Sequence, residues 1–335
     1  MAAVAGAGLK GLSAQQPTNT EASGVEMTPD ADAKPGIGRP VKVVSIGFSP
    51  GKLPWSEITQ HVDEEGSRQP DIIALPETCR GQDGTSEETL DGPTVTTMAA
   101  LAAKHKTYIA VPIDRRDGDR RYNTVVLLDR SGKVVTLYNK IFPYWSEYDV
   151  HPAVSPGDEA RVYQADFGKV GFATCFDANF PSVWKRIADM GAELVVWPSA
   201  YIAGSSLQSH AINNHYYVVS CTQAAVCMVY DINGKRIYTS RSKDIDVSRV
   251  SLDLDRVIFH ENFNLDKRDK LLSEHPQDVV QEEWMKDEQW FVLKAARPGV
   301  SARALAHEYG MEELRHYLDH SRMAIDELRG WEFSA

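Results

Sequence analysis

Cysteine is scarce in this chain. There are four in 335 residues, at positions 79, 175, 221 and 227, too few for a disulfide framework. No CxxC pair and no Cys/His cluster at zinc spacing is present, so no metal centre is expected. No run of 18 apolar residues occurs, which excludes a membrane-spanning helix from the reading. Positive charge is also short: Lys+Arg is 36 against Asp+Glu 47, a net charge of −11. That balance disfavours nucleic acid or an anionic membrane as the main partner. A GxSxG elbow for Ser-His-Asp hydrolysis is missing. The first residues, MAAVAGAGLKGLSAQQ, lack a basic region followed by an apolar core, so no secretory signal is read and a reducing, cytoplasmic setting is expected.

What is present is ordinary for a globular protein: 42% hydrophobic and 25% charged residues. At about 150 residues per domain, the length suits two domains or one large one. Residues 1–40 are rich in Ala, Gly, Thr, Pro and Asp without periodicity, and are expected to form a disordered arm. From residue 41 the texture changes. Apolar runs at 41–48 and 72–75 suit buried strands, with a helical stretch at 55–62 between them. A helix is expected over 94–106, ending in basic residues. Strand texture follows at 108–113 and 124–128, then a turn at 129–133 (DRSGK) and a return strand at 134–138. A second set follows: a hairpin over 161–174, a helix over 180–190, a buried strand at 194–197 and a helix over 207–216. Strands are expected at 217–221, 225–230 and 250–254, with a turn at 231–235 (DINGK).

The two sets echo each other. IIALPE (72–77) resembles LVVWPS (194–199), and DRSGK resembles DINGK 102 residues later. Two similar α/β halves predict two sheets sharing one interior with helices outside, an α-β-β-α sandwich over 41–260. Residues 261–335 read as a charged, Trp-bearing and mostly helical extension.

Three polar residues follow buried strands, where sites in α/β sheets are built. Cys175 lies at a strand-to-helix turn, where its thiol is expected to be exposed and its thiolate favoured by the helix N-terminus; a buried structural cysteine is the plainer alternative. Glu77 ends an apolar strand, where a carboxylate can shuttle protons; a solvated loop acid would look the same. Lys140 stands between a strand and an aromatic loop, as an inward cation or as a surface lysine.

Taken together, in the order Glu–Lys–Cys, these residues resemble the nitrilase superfamily of carbon–nitrogen hydrolases. The resemblance is carried by DIIALPET (71–78), VTLYNKIFPYWSEYD (135–149) and GKVGFATCFDANFP (168–181), supported by GAELVVWPSAY (191–201) and SSLQSHAINNHYYVV (205–219). It covers roughly residues 42–258 and implies the same four-layer sandwich. By resemblance Glu77 is the general base, Lys140 the cation and Cys175 the nucleophile, and a further family carboxylate falls on Glu147. The implied chemistry is attack of Cys175 on a small amide, through a thioester, with release of ammonia or an amine and no cofactor. Lys140 and the Phe176 N–H would bind the oxyanion.

The chain also departs from family patterns. Asn179 stands where many amidases carry Arg, which removes support for an N-carbamoyl amino acid as substrate. The Cys-Trp-Glu of true nitrilases is missing, although a nitrile remains the alternative substrate and a catalytically silent scaffold the alternative role. Tyr144, Trp145, Phe176 and Asn179 are the candidate substrate-binding residues, with Phe142 completing an aromatic wall. His210 and His215 are five apart and off a common helical face, so they do not suggest a metal pair. The stretch 300–315 has a helix-Gly-helix look, but 297–335 holds five Arg against seven acids, the wrong balance for phosphate contacts. The apolar residues of 261–335, among them Trp284, Trp290, Phe291, Leu305, Leu314, Leu318 and Trp331, are expected to cover something; packing back on the chain's own sandwich is the plainer alternative and self-association the sharper reading.

Overall fold

The computed structural model describes residues 36–82, 86–149 and 152–330. The expected disordered arm falls almost wholly outside these residues, as does Trp331. The first sheet contains β1 (Pro40–Phe48), β2 (Ile72–Ala74), β3 (Tyr108–Asp117), β4 (Arg120–Leu128) and β5 (Val134–Asn139). The second contains β6 (Val162–Gln164), β7 (Lys169–Phe172), β8 (Leu194–Ser199), β9 (Tyr217–Thr222), β10 (Val226–Tyr230) and β11 (Arg236–Arg241). A long strand, β12 (Ile245–Asp253), returns to pair with β1, so the orders are β12-β1-β2-β3-β4-β5 and β11-β10-β9-β8-β7-β6. At each centre three strands run parallel, β1-β2-β3 and β7-β8-β9. Such strands are covered on both faces, and β2 and β8 are buried throughout for that reason.

Helices α1 (Trp55–Gly66) and α2 (Pro93–His105) cover the outer face of the first sheet; α4 (Pro181–Asp189) and α5 (Gly204–Asn214) cover the second. The short α3 (Trp145–Tyr148) sits between the halves in sequence. Between the sheets lies one continuous core, including Tyr138, Phe172, Val196 and Val219. This is the four-layer sandwich expected from the sequence.

The internal echo is structural as well. In both DRSGK and DINGK the Asp N–H donates to the Lys carbonyl and the Gly N–H to the Asp carbonyl. Gly132 and Gly234 share φ 81°, a left-handed conformation that suits glycine. Each tucks under the helix of its own half. A Cβ at Gly132 would come within 2.3 Å of the Ala99 carbonyl, and one at Gly234 within 2.6 Å of Ile212.

The C-terminal extension has the expected helices, α6 (Leu265–Glu274), α7 (Ala302–Glu308) and α8 (Leu314–Arg329). It also has a sheet that the sequence reading missed: β13 (Val257–His260), β14 (Val279–Met285) and β15 (Trp290–Ala295), in the order β13-β15-β14. The adjacent acids Glu282 and Glu283 in VVQEEWM, where a bulge shifts the register after Gln281, hide the β period. The extension builds a small core of its own from Phe259, Leu271, Phe291, Ala306 and Met311. It also packs back on its own sandwich: Leu314 joins the central core and Lys185 of α4 pairs with Asp319 of α8.

Candidate active site

The ends of five neighbouring strands meet at one rim. Beyond β1 comes Ser49, beyond β2 Glu77, beyond β7 Cys175, beyond β8 Ala200 and beyond β9 Gln223, and all five line one cavity of about 640 Å³. Lys140, just past β5, and Glu147, in α3, complete its floor.

Cys175 opens a five-residue 3-10 turn, Cys175–Asn179, with φ 46°. A non-glycine residue held there is strained and persists only where its surroundings over-determine it. Here they do so through Asp177, which is fully buried. Its Oδ2 accepts from the Thr174 N–H at 2.8 Å and from the Tyr138 hydroxyl at 2.6 Å, and its Oδ1 accepts from the Phe142 N–H at 2.9 Å. The same side chain therefore ties the cysteine turn to the strand and loop that carry Lys140. Burial raises the Asp177 carboxyl to about 6, against the pull of these donors.

Lys140 is buried and its Nζ donates to Glu77 Oε1 at 2.8 Å and to Glu147 Oε2 at 2.6 Å. The amide nitrogen of Asn123 donates to the same two carboxylates, at 2.7 Å to Glu77 and 2.9 Å to Glu147. The Ala200 N–H donates to Glu77 Oε2 at 2.7 Å and the Tyr144 N–H to Glu147 Oε2 at 2.7 Å. Burial by itself would lower the Lys140 pKa; Glu77, Cys175 and Glu147 outweigh it and hold the ammonium firmly charged. Burial likewise opposes ionisation of Glu147, and Lys140 outweighs it, so this carboxyl is held below its usual range.

The thiol of Cys175 differs from the sequence expectation. It is buried, with 8% of the residue exposed, and is pushed up to about 12, by burial first and the neighbouring Glu77 charge second, against the opposing pull of Lys140. The resting sulfur is a thiol rather than a helix-stabilised thiolate. A five-residue turn carries little macrodipole, and the Glu77 charge outweighs the Lys140 ammonium at the sulfur.

Phe176, Tyr144 and Asn179 line the cavity. The Tyr144 and Phe176 rings meet edge-on at 5.1 Å, and the Asn179 amide donates to the Phe176 carbonyl at 3.1 Å. Trp145 does not line it: the residue is 54% exposed beside Tyr144, because α3 turns it outward while aiming Glu147 inward. Phe142 stands behind the wall, stacked on Phe180 at 3.6 Å. Sequence reasoning missed Asn123, Gln82, Gln223 and Tyr201. For Asn123 a signal existed, a lone amide within the apolar strand RRYNTVVLL, and for Gln223 the position just past a buried strand.

The other candidates fall away from the cavity. Cys79 is buried under the helices of the first half, and Cys221 and Cys227 face each other as registered partners of β9 and β10, all three unbridged. His210 stacks on Trp184 at 4.1 Å and faces the Ala178 carbonyl at 2.8 Å. Among the described residues no group of three or more His, Cys, Asp or Glu could hold a metal ion.

Fold and site together define an α-β-β-α sandwich with Glu77, Lys140 and Cys175 lining one cavity at its strand ends. The profile of the carbon–nitrogen hydrolase family matches residues 54–259, and the chain belongs to that family. A citrullinase of Francisella tularensis is 28% identical over 157 residues, covering 46% of this chain and 55% of its own length. An omega-amidase of Saccharomyces cerevisiae is 24% identical over 219 residues, covering 56% and 75%. The chain spans only about half the length of several of the curated relatives it matches. Among solved structures, that of Saccharomyces cerevisiae Nit3 superposes with a TM-score of 0.56 at 21% identity, covering 65% of this chain and 91% of that one. The amidase of Nesterenkonia AN1 gives 0.55 at 16%, covering 72% and 98%.

Proposed function

We propose that this protein is a cysteine-dependent hydrolase of a non-peptide carbon–nitrogen bond in a small, uncharged amide. The observation that carries the reading is the convergence of Glu77, Lys140 and Glu147 on Cys175 at the floor of one cavity. Because the resting sulfur is protonated, attack requires a base in the same step. Glu77 takes the thiol proton as sulfur bonds to the amide carbon, and the carbonyl π electrons move to oxygen. The oxyanion forms near the Lys140 ammonium and the Phe176 N–H. Its collapse expels the amine or ammonia, which receives the proton from Glu77, and leaves a thioester. Water then attacks that thioester while Glu77 accepts its proton. The second tetrahedral species expels the thiolate, which is reprotonated as the acid product leaves. In this scheme Glu147 holds Lys140 in place.

An uncharged substrate is favoured by the lining. Among the described lining residues Lys140 is the one cation, and both carboxylates already claim it. Arg80, the neighbouring arginine, lies over the Trp55 ring at 4.9 Å. Ammonia release from a panel of neutral amides, N-carbamoyl amino acids and nitriles tests the reading. Neutral amides should lead in kcat/KM. Turnover of nitriles alone, or a more than tenfold lead for N-carbamoyl amino acids, would overturn it.

We also propose that the protein self-associates through the extension. The outer half of α8 presents Met323, Ile325 and Leu328, the last 87% exposed, beyond a first turn that is packed on its own chain through Leu314.

A further inference from the structure

A second cavity, of about 320 Å³, lies at the opposite end of the second sheet from Cys175. Its walls include Lys169, Glu193 and Tyr217, at or just before the N-terminal ends of β7, β8 and β9. The C-terminal ends of those strands carry the candidate active site, about 20 Å away at 3.3 Å per residue. The other wall is Arg256, just past β12, and the C-terminal extension, through Arg303, Glu313 and Arg315.

The charge of this cavity is unlike that of the molecule. In a chain of net charge −11, its described lining holds Arg39, Lys169, Arg256, Arg303 and Arg315 against only Glu193 and Glu313. Three of these cations are paired: Arg39 with Glu193, Arg256 with Asp231 and Glu282, and Arg303 with Glu313. Two are not. The Arg315 guanidinium donates only to main-chain carbonyls, those of Ala188 at 3.4 Å, Ala192 at 3.0 Å and His215 at 2.9 Å. The Lys169 ammonium has the Met190 carbonyl at 3.4 Å. Neither has a carboxylate within ion-pair distance among the described residues. Both are half-buried at the cavity wall, and two cations there without an ion-pair partner make a place where an anion is held by charge-assisted hydrogen bonds. The volume equals about ten waters at roughly 30 Å³ each, enough for a phosphate or a small polycarboxylate.

We propose that this cavity binds a small multivalent anion, of the phosphate or polycarboxylate class, with Lys169 and Arg315 as the residues that recognise it. The inference does not depend on the proposed activity. Inorganic phosphate and citrate are the probes, titrated into the full-length protein in a chloride buffer at matched ionic strength. Saturable heat and a rising melting temperature in the millimolar range or below are expected for at least one of them, and which binds tighter separates the two chemistries. Lys169→Gln changes a half-buried rim residue that bonds only one carbonyl, and should weaken binding about tenfold, the equivalent of ~1.4 kcal/mol. Arg315→Gln should abolish binding; if it fails to fold, Lys169→Gln decides. Cys175→Ala should bind as the unmodified protein does. Failure of both anions to bind, unchanged affinity in Lys169→Gln, or loss of binding in Cys175→Ala would each overturn the proposal.

Discussion

The residues around Cys175 set a proton balance that an isolated cysteine would not have. Glu77 and the Lys140 ammonium act on the sulfur with opposite sign, and burial joins the Glu77 charge in keeping it a thiol. Glu77 therefore has two opposed effects. It suppresses the free thiolate at rest, yet it is the group placed to take the proton during attack. Glu77→Gln removes the negative charge and leaves Lys140 with less opposition, so the thiol pKa should fall. Iodoacetamide should then alkylate Cys175 faster at pH 7 than in the unmodified protein, while ammonia release drops by about 10² or more. In the unmodified protein the alkylation rate should keep climbing with pH toward about 12. Cys175→Ala should show no turnover. A Glu77→Gln variant that loses both alkylation and turnover would show that Glu77 acts on the sulfur in some other way.

At the scale of elements, the site depends on how β5 ends. The Lys140 N–H donates to the Asn123 carbonyl on β4 at 2.8 Å, and the Lys140 carbonyl accepts from the Gly157 N–H at 2.8 Å. The strand end is thus clamped from both sides, and the second clamp requires glycine. A Cβ at Gly157 would meet the Asn139 carbonyl oxygen at 2.2 Å, main chain that cannot swing aside. Gly157→Ala should therefore push the Lys140 segment off its carboxylates. We expect kcat to fall at least tenfold and the melting temperature to drop. Wild-type kinetics in a correctly folded Gly157→Ala protein would mean that the clamp does not govern Lys140. The pairing of Glu77, Glu147 and Lys140 was within reach of sequence because each residue sits at a strand end or in a short motif. Asn123, which bridges the two carboxylates, was not singled out, because an amide inside a strand does not reveal which neighbours it will meet.

At the scale of the molecule, the extension links the sandwich to whatever lies outside it. The inner half of α8 is anchored through Leu314 and Arg315, whereas Met323, Ile325 and Leu328 remain uncovered. Deleting the whole segment would strip Ala302, Ala306, Met311 and Leu314 from buried positions, so a surface change is the cleaner test. Met323→Glu together with Leu328→Glu should lower the mass seen by light scattering at micromolar concentration and leave the melting profile of the monomer intact. A full-length protein that is already monomeric there, or an unchanged oligomer in the variant, would remove α8 from any interface.

By itself, the sequence determined the layer order and the positions of most strands and helices, through apolar runs and turn residues. Glu77, Lys140 and Cys175 stood out as polar groups just beyond strands, and only the family resemblance of their motifs joined them. Tertiary structure alone decided what depends on distance through space. It placed Trp145 outside the cavity and Glu147 inside it, although they are two residues apart, because a single helical turn sends them in different directions. It turned the expected thiolate into a thiol, because burial and the balance of charge around a sulfur belong to the assembled site and not to any segment. It revealed a sheet in the extension whose β period is hidden in one dimension by two adjacent acids at a bulge. The cationic cavity is likewise tertiary, since Lys169 and Arg315 are 146 positions apart in the chain and share a wall only because α8 folds back across the ends of β7, β8 and β9.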